Sequence, residues 1–223
     1  MKLVIIGGVA GGASAAARAR RLNESAQITI FERGEYISFA NCGLPYHIGG
    51  TISDRSKLLI QTPEAMKSRF NIDVCIKTEV IGIDRKAKEV IVRDLSNNHE
   101  YRQAYDKLVL SPGAEPIRPN IPGIESKNVF TLRSITDMDA IKAVIDKKPR
   151  ERVLVVGGGY IGLEMSEALR DRNIEVTLAE LEHQVFGPID HEMASMVGTQ
   201  LRLHGVDLRL GNSVTAIEES NSD

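Results

Sequence analysis

Val153-Leu154-Val155-Val156-Gly157-Gly158-Gly159-Tyr160-Ile161-Gly162 is the stretch that decides the fold. A short run of β-type apolar residues meets glycines at the first, third and sixth places of a turn. A helical pattern continues to about Arg172, and Glu175-Val176-Thr177-Leu178-Ala179 then ends in Glu180. Strand, glycine turn, helix, strand, acid is the βαβ unit of a doubly wound parallel sheet. The three glycines give the tight turn, the close approach of backbone to a diphosphate, and the tight helix–strand contact. Backbone N–H groups at the helix N-terminus then face the anion. Gly157, Gly158, Gly159, Tyr160, Ile161 and Gly162 are therefore candidate dinucleotide-binding residues. Glu180 is placed to accept from a ribose 2′-OH and to repel a 2′-phosphate, which tilts this site toward NADH over NADPH.

Working outward, the same pattern occurs near the N-terminus. Leu3-Val4-Ile5-Ile6 leads into Gly7-Gly8-Val9-Ala10-Gly11-Gly12, an alanine-rich helical stretch from Ala13 to Leu22, and Gln27-Ile28-Thr29-Ile30-Phe31 ending in Glu32. Here Val9 stands where the middle glycine belongs, and Gly8 and Gly11 offer the space instead. Taken singly, either copy reads as a plain strand-to-helix turn. Two copies, each closing on a glutamate, point to two dinucleotide sites and to electron transfer between two cofactors, a nicotinamide and a flavin.

Between the copies, Pro63 to Arg69 reads as a helix, and Val74–Lys77, Val80–Asp84 and Val90–Asp94 as short strands, the last two forming a hairpin-like meander. Tyr105 to Ser111 is a further strand. Four prolines between Pro112 and Pro122 make an extended linker, Ser134 to Lys147 a helix, and Pro149 to Glu151 the opening of the second unit. The expected division is an FAD-binding part over 1–112, a linker over 113–150 and an NAD(P)H-binding part over 151–223. After Glu180 come a helix near Asp190–His204, a strand at Val206–Leu210 and a polar tail from Glu218 to Asp223. That leaves too few strands to close a second sheet, so the chain is expected to be cut short there.

Composition fits this reading. A 223-residue chain with 42% hydrophobic and 26% charged residues belongs to the soluble globular class. Its net charge of −2 gives no reason to expect nucleic acid or an anionic membrane as partner. No apolar run approaches the ~20 residues that cross a bilayer. The opening run, Leu3 to Ile6, is too short for the apolar core of a signal peptide, so the expected compartment is the cytoplasm, where thiols stay reduced. Its two cysteines, Cys42 and Cys75, make no disulfide scaffold, and no metal is expected.

Cys42 lies in Ser38-Phe39-Ala40-Asn41-Cys42-Gly43-Leu44-Pro45-Tyr46-His47-Ile48-Gly49-Gly50. Pro45 suits the first turn of a helix, and a cysteine at a helix N-terminus has its thiolate stabilised for nucleophilic attack. A small residue packed in a turn is the bland alternative. Cys75, in Val74-Cys75-Ile76, reads as a buried strand thiol without a role.

These motifs together resemble the flavoprotein disulfide reductases with two dinucleotide domains, the pyridine nucleotide-disulfide oxidoreductase family. The segment Ser38 to Tyr46 is similar to the single-cysteine branch, which contains coenzyme A-disulfide reductases and NAD(P)H-dependent polysulfide reductases. Gly7–Ser14, Leu108–Ala114, Thr131–Ser134 and Gly157–Glu164 also match. The resemblance implies an α/β fold of two Rossmann-like dinucleotide-binding units, FAD first and NAD(P)H second, cut short before the end of the second and before a dimerisation domain. Relatives carry a later aspartate for the flavin ribityl chain and a domain that lends tyrosines to the partner's cysteine site; neither occurs before Asp223.

Residue by residue, the resemblance implies FAD contacts at Gly7, Gly8, Val9, Ala10, Gly11, Gly12, Glu32, Arg33, Val80 (through its backbone), Ser111 and Gly113. It implies that Tyr160 covers the nicotinamide pocket and that Glu164 lies beneath the flavin edge. Ser14, Arg21, Ser38 and Asn41 match positions that hold coenzyme A, and Arg18 joins Arg21 as a phosphate clamp. Arg20 is read as a solvated helix residue. Where glutathione-reductase-like members place a second cysteine, this sequence has His47, read as an ordinary helix residue in preference to a general acid. Cys42 must therefore couple to an external sulfur or to an oxidant. The implied enzyme is an NAD(P)H-dependent flavoprotein reducing coenzyme A disulfide, coenzyme A persulfide or polysulfide, a homodimer when complete. An NADH oxidase or peroxidase cycling Cys42 through sulfenic acid, and an inert nucleotide-binding fragment, are the competing readings.

Overall fold

The computed structural model describes residues 1–147 and 152–218. The expected opening at Pro149–Glu151 and the tail beyond Glu218 lie outside them. The chain divides into two compact units, one of residues 1–40 and 56–114, the other of residues 41–55 and 115–223.

The first unit is built on four parallel strands, β1 (Lys2–Ile6), β2 (Gln27–Phe31), β3 (Asp73–Cys75) and β7 (Lys107–Leu110), in the order β3-β2-β1-β7. Order reverses at β1, the switch point where doubly wound sheets bind ligands beyond the strand carboxyl ends. β1 is covered on both faces. Leu3 and Ile5 pack with Ala16 of helix α1 (Ala10–Leu22), Met66 of helix α3 (Pro63–Phe70), and Ile28, Ile30 and Ile37. Val4 faces the other way, with Phe31, Val90 and Val92. Each such aliphatic side chain taken fully out of water contributes about 1.5–3 kcal/mol. The second face is covered by an antiparallel sheet of β4 (Thr78–Asp84), β5 (Glu89–Asp94) and β6 (His99–Ala104). The sequence predicts the β4–β5 pair but not β6. Its residues, His-Glu-Tyr-Arg-Gln-Ala, lack an apolar alternation, and cross-strand ion pairs hold it, Arg93–Glu100 at 2.8 Å and Arg102–Glu89 at 3.1 Å.

Helix α3 carries its own start and stop signals. The Thr62 hydroxyl accepts from the Ala65 amide at 3.2 Å, Pro63 opens the helix, and Asn71 ends it at φ +48°.

Arg20 departs from expectation. It is 8% exposed, and its guanidinium donates to the carbonyls of Phe70 (2.7 Å), Asn71 (2.8 Å), Asn23 (3.3 Å) and Glu24. One side chain thus satisfies carbonyls at the C-terminal ends of both α1 and α3, where helices leave oxygens unpaired. No carboxylate is involved, so the spacing of charges gives no hint of it. Arg20→Ala is expected to destabilise the chain by about 2–4 kcal/mol, because buried acceptors lose their donors. Urea unfolding measures this, and a change under about 0.5 kcal/mol, typical of a surface site, would contradict the assignment.

The second unit holds a parallel sheet of β8 (Arg152–Val156), β9 (Glu175–Glu180) and β10 (Val206–Leu210), in the order β10-β9-β8. Helix α5 (Tyr160–Asp171) joins β8 to β9, and α6 (His191–Leu203) joins β9 to β10. α4 (Ile135–Lys147) and the short helix α2 (Leu44–Gly49) complete the described part. Ile135, Met138, Leu169, Ile174, Val176 and Leu178 are buried in it. Leu154 and Val156, on the edge strand β8, are exposed. No helix among the described residues is long and apolar enough to cross a membrane.

Candidate active site

The two glycine turns share one geometry. Gly7 and Gly157 take φ +94° and +98°, conformations that L side chains avoid. Their amides donate to Phe31 O and Ala179 O, each at 2.8 Å, tying turn to neighbouring strand. A Cβ on Gly12 would run into the Gly7 carbonyl, and one on Gly162 into the Gly157 carbonyl, so both are fixed by close approach of helix to strand. The acids anchor the turns. Glu32 accepts from the Gly8 amide at 2.8 Å and the Gly34 amide at 2.8 Å. Glu180 accepts from the Gly158 amide at 2.6 Å and the Glu182 amide at 2.9 Å.

The correspondence extends further than the sequence reveals. Ser38 and Phe186 stand the same distance past their acids, both with positive φ (+43° and +53°). Their amides donate to the carbonyls of Gly8 (3.0 Å) and Gly158 (2.8 Å). Ile37 and Val185 pack where a Cβ on Gly8 or Gly158 would lie. A Ser–Phe pair has no common side-chain chemistry, so only the backbone shows the match.

The residues present fit a dinucleotide at each turn. Neither α1 nor α5 has a side-chain cap or an acid in its first turn, so their leading amides are open to an anion. In the first copy Val9 is half-buried at the N-cap and Ala10 begins the helix, while Gly8 is filled against Ile37. The room expected at Gly8 is therefore taken by the protein itself. Gly11 faces the Ser111 hydroxyl, 3.3 Å from where its Cβ would sit. Ser111 donates its amide to Ile6 O at 2.8 Å, and Gly113 follows at φ +74°. Arg33 is exposed, and a bulge between Val80 and Gly82 interrupts the β4 ladder beside Val80.

In the second copy, nothing lies within 4 Å of a Cβ on Gly159. This gives a clean expectation: Gly159→Ala leaves the unfolding free energy within about 1 kcal/mol. The same methyl stands in the approach of a diphosphate, so KM for the pyridine nucleotide should rise about tenfold or more in the complete protein. An unchanged KM would remove this turn from the site. Tyr160 is exposed, its ring edge-on to Phe186 at 4.2 Å between centroids; Ile161 is exposed and Glu164 half-buried.

Ser14, Arg18 and Arg21 lie on one exposed side of α1. Neither arginine is in an ion pair among the described residues. Asn41, in the second unit, is exposed.

Cys42 sits in a 3-10 turn, Asn41–Gly43, just ahead of α2, and is exposed and free. Pro45 lies in the first turn of α2, and Leu44, Pro45, His47 and Ile48 are buried. His47 is 4% exposed, its Nδ1 2.6 Å from the Ile52 carbonyl oxygen. That hydrogen bond ties down the loop after the helix and gives His47 a structural task. Cys75 is also free; burial, and then the nearby Asp73 carboxylate, push its thiol above the ordinary range. It is half-buried, not fully buried as the sequence suggests, and less open to attack than the exposed Cys42.

A family model described as pyridine nucleotide-disulphide oxidoreductase matches residues 1–223. A coenzyme A disulfide reductase of Staphylococcus haemolyticus is 39% identical over 98% of this chain and 49% of its own length. Among solved structures, reduced Bacillus anthracis CoADR-RHD is 55% identical with a TM-score of 0.94, covering 98% of this chain and 39% of the other. An NAD-dependent persulfide reductase from A. fulgidus is 37% identical with a TM-score of 0.93, covering 98% and 41%. The chain spans about half the length of the curated relatives it matches.

Proposed function

We propose, from the premise that this chain belongs to the pyridine nucleotide-disulphide oxidoreductase family, that the whole protein reduces coenzyme A disulfide, coenzyme A persulfide or polysulfide through Cys42. The observation that carries the reading is the state of the two cysteines. Cys42 is exposed on a turn, Cys75 is embedded in a strand with its thiol form favoured, and the helix position after Cys42 is filled by a buried histidine. The oxidised partner of Cys42 therefore comes from outside the chain.

FAD and a pyridine nucleotide are the cofactors of this enzyme family. In our reading Gly7, Gly12, Glu32 and Ser111 hold the first, and Gly157, Gly159, Gly162 and Glu180 the second. When bound, the flavin supplies two-electron exchange between a reduced nicotinamide and a sulfur–sulfur bond. The chain's own part starts at Cys42. Its thiolate attacks one sulfur of the disulfide, a mixed disulfide forms, and the other half leaves as a thiolate. Two electrons from NAD(P)H and one proton then return Cys42 to the thiolate and free the second thiol. For each disulfide, one NAD(P)H and one proton are consumed and two thiols released.

Arg18 and Arg21, unpaired on the same side of α1 as Ser14, suit the phosphates of a coenzyme A-type thiol. The Glu180 carboxylate, fixed at the second turn with Glu182 beside it, supports NADH over NADPH. A thiol that must be reduced to act suits the cytoplasm, and the whole protein is read as a homodimer.

The deciding experiment supplies the complete protein with NADH and, in turn, coenzyme A disulfide, polysulfide and hydrogen peroxide. Release of two thiols per NADH from coenzyme A disulfide, or sulfide from polysulfide, supports the reading. Turnover with peroxide alone would replace it with a peroxidase working through a sulfenic acid at Cys42.

A further inference from the structure

We propose that Arg172 is a positioning residue for Cys42: it holds the helix following the cysteine against α4 and α5. The inference rests on Cys42 being the reacting sulfur.

Helix α2 has six residues, too few to keep an orientation without support. Within the second unit, α5 and α4 pack against it. On one side it meets α5 closely: a Cβ on Gly49 would lie 3.0 Å from the Ala168 Cβ and 3.1 Å from its Cα. At its C-terminal end Arg172 Nη1 donates to the Ile48 carbonyl at 3.2 Å, one of the oxygens a last helical turn leaves unpaired. The same guanidinium reaches α4, with Nη2 at 2.7 Å from Asp146 Oδ1. Lys142 also approaches Asp146, at 3.4 Å. The hydrogen bond from Arg172, and then the positive charges beside it, hold the Asp146 carboxyl below its ordinary range, so the pair is ionised at neutral pH.

Just beyond α2, Arg55 makes a two-pronged pair with Asp139 of α4, at 2.8 and 2.7 Å, and His47 bonds the Ile52 carbonyl. The cysteine segment is thus clipped down after the helix, but its helix end depends on Arg172. Standing at the end of α5, Arg172 joins α2, α4 and α5 through one side chain. An arginine is needed because its fork meets a carbonyl and a carboxylate together, whereas lysine presents a single nitrogen. Cys42 lies in the 3-10 turn that leads directly into the opposite end of α2. A tilt of α2 therefore displaces the sulfur, and thiol–disulfide exchange needs an aligned approach.

The test uses the complete protein and four variants, Arg172→Ala, Arg172→Lys, Asp146→Asn and Cys42→Ser. Arg172→Ala should lower kcat with coenzyme A disulfide about tenfold, with NADH-driven ferricyanide reduction within about twofold of the parent. Arg172→Lys should recover part of the loss. A second readout needs no turnover: the rate at which iodoacetamide labels Cys42, followed by peptide mass, should change about threefold or more in Arg172→Ala. Unchanged disulfide turnover and labelling would overturn the proposal. So would equal losses with disulfide and ferricyanide, which would mark Arg172 as a general support. If Arg172→Ala fails to fold, Arg172→Lys and Asp146→Asn decide by the same ratio of activities. Cys42→Ser separates the two levels: if it still reduces the disulfide, the reading beneath this inference fails. If it is inactive while the Arg172 variants behave as the parent, only the positioning role fails.

Discussion

Cys42→Ser in the complete protein is expected to lower reduction of coenzyme A disulfide by about a thousandfold or more. A serine hydroxyl is a far weaker nucleophile than a thiolate at neutral pH, and an oxygen cannot form the mixed disulfide of the proposed reaction. Within residues 1–223 no second thiol stands ready to replace it. Cys75 is the one alternative in the sequence, and burial and Asp73 keep it in the unreactive thiol form. The substitution replaces one exposed atom and removes no packing, so NADH-driven reduction of ferricyanide should stay within about twofold. Parallel assays with the two acceptors check this. A serine variant within tenfold of the parent on the disulfide would remove Cys42 from the mechanism.

Gly12→Ala should be the most damaging change at a nucleotide turn. Its methyl would occupy the place of the Gly7 carbonyl oxygen, and that atom belongs to backbone, not to a side chain that can swing away. Gly7 is itself locked by its bond to Phe31 O and by its positive φ. Relief therefore means moving α1 off β1 and opening the cluster of Leu3, Ile5 and Ala16. A loss of about 3 kcal/mol or more follows from such overpacking, together with loss of flavin from the purified protein. Gly11→Ala is the control, because its methyl would meet only the Ser111 side chain, at 3.3 Å. Urea unfolding and the flavin-to-protein absorbance ratio distinguish the pair; similar behaviour of both variants would show that the helix–strand contact is looser than its geometry indicates.

The parts of the fold that repeat a pattern in side chains were readable from the sequence. Both βαβ units and the helices Pro63–Phe70 and Ile135–Lys147 announce themselves through apolar runs, glycines and prolines. The parts held by polar or backbone groups were not. β6 is a strand because ion pairs and a ladder hold it, not because its residues favour one. Arg20 looks like its neighbours Arg18 and Arg21, and only the meeting of two helix ends buries it. The same limit applied at the cysteine. Its motif was legible within a short window, whereas Arg172 and Asp146, far along the chain, have no local signal. Nor does sequence order show that Asn41–Arg55 groups with residues of the second unit, although it lies between segments of the first.

The matched loops after Glu32 and Glu180 are set by backbone and carboxylate anchors, not by the side chains along them. Two segments with the same carboxylate anchors, the same amide-to-carbonyl bond and the same left-handed residue follow one path although their side chains differ. Counted from those anchors, Cys42 falls at the place where the other copy has Asp190, the N-cap residue just before α6. Cys42 thus stands beyond the last bond that the two loops share, where the common backbone path no longer fixes which residue is present.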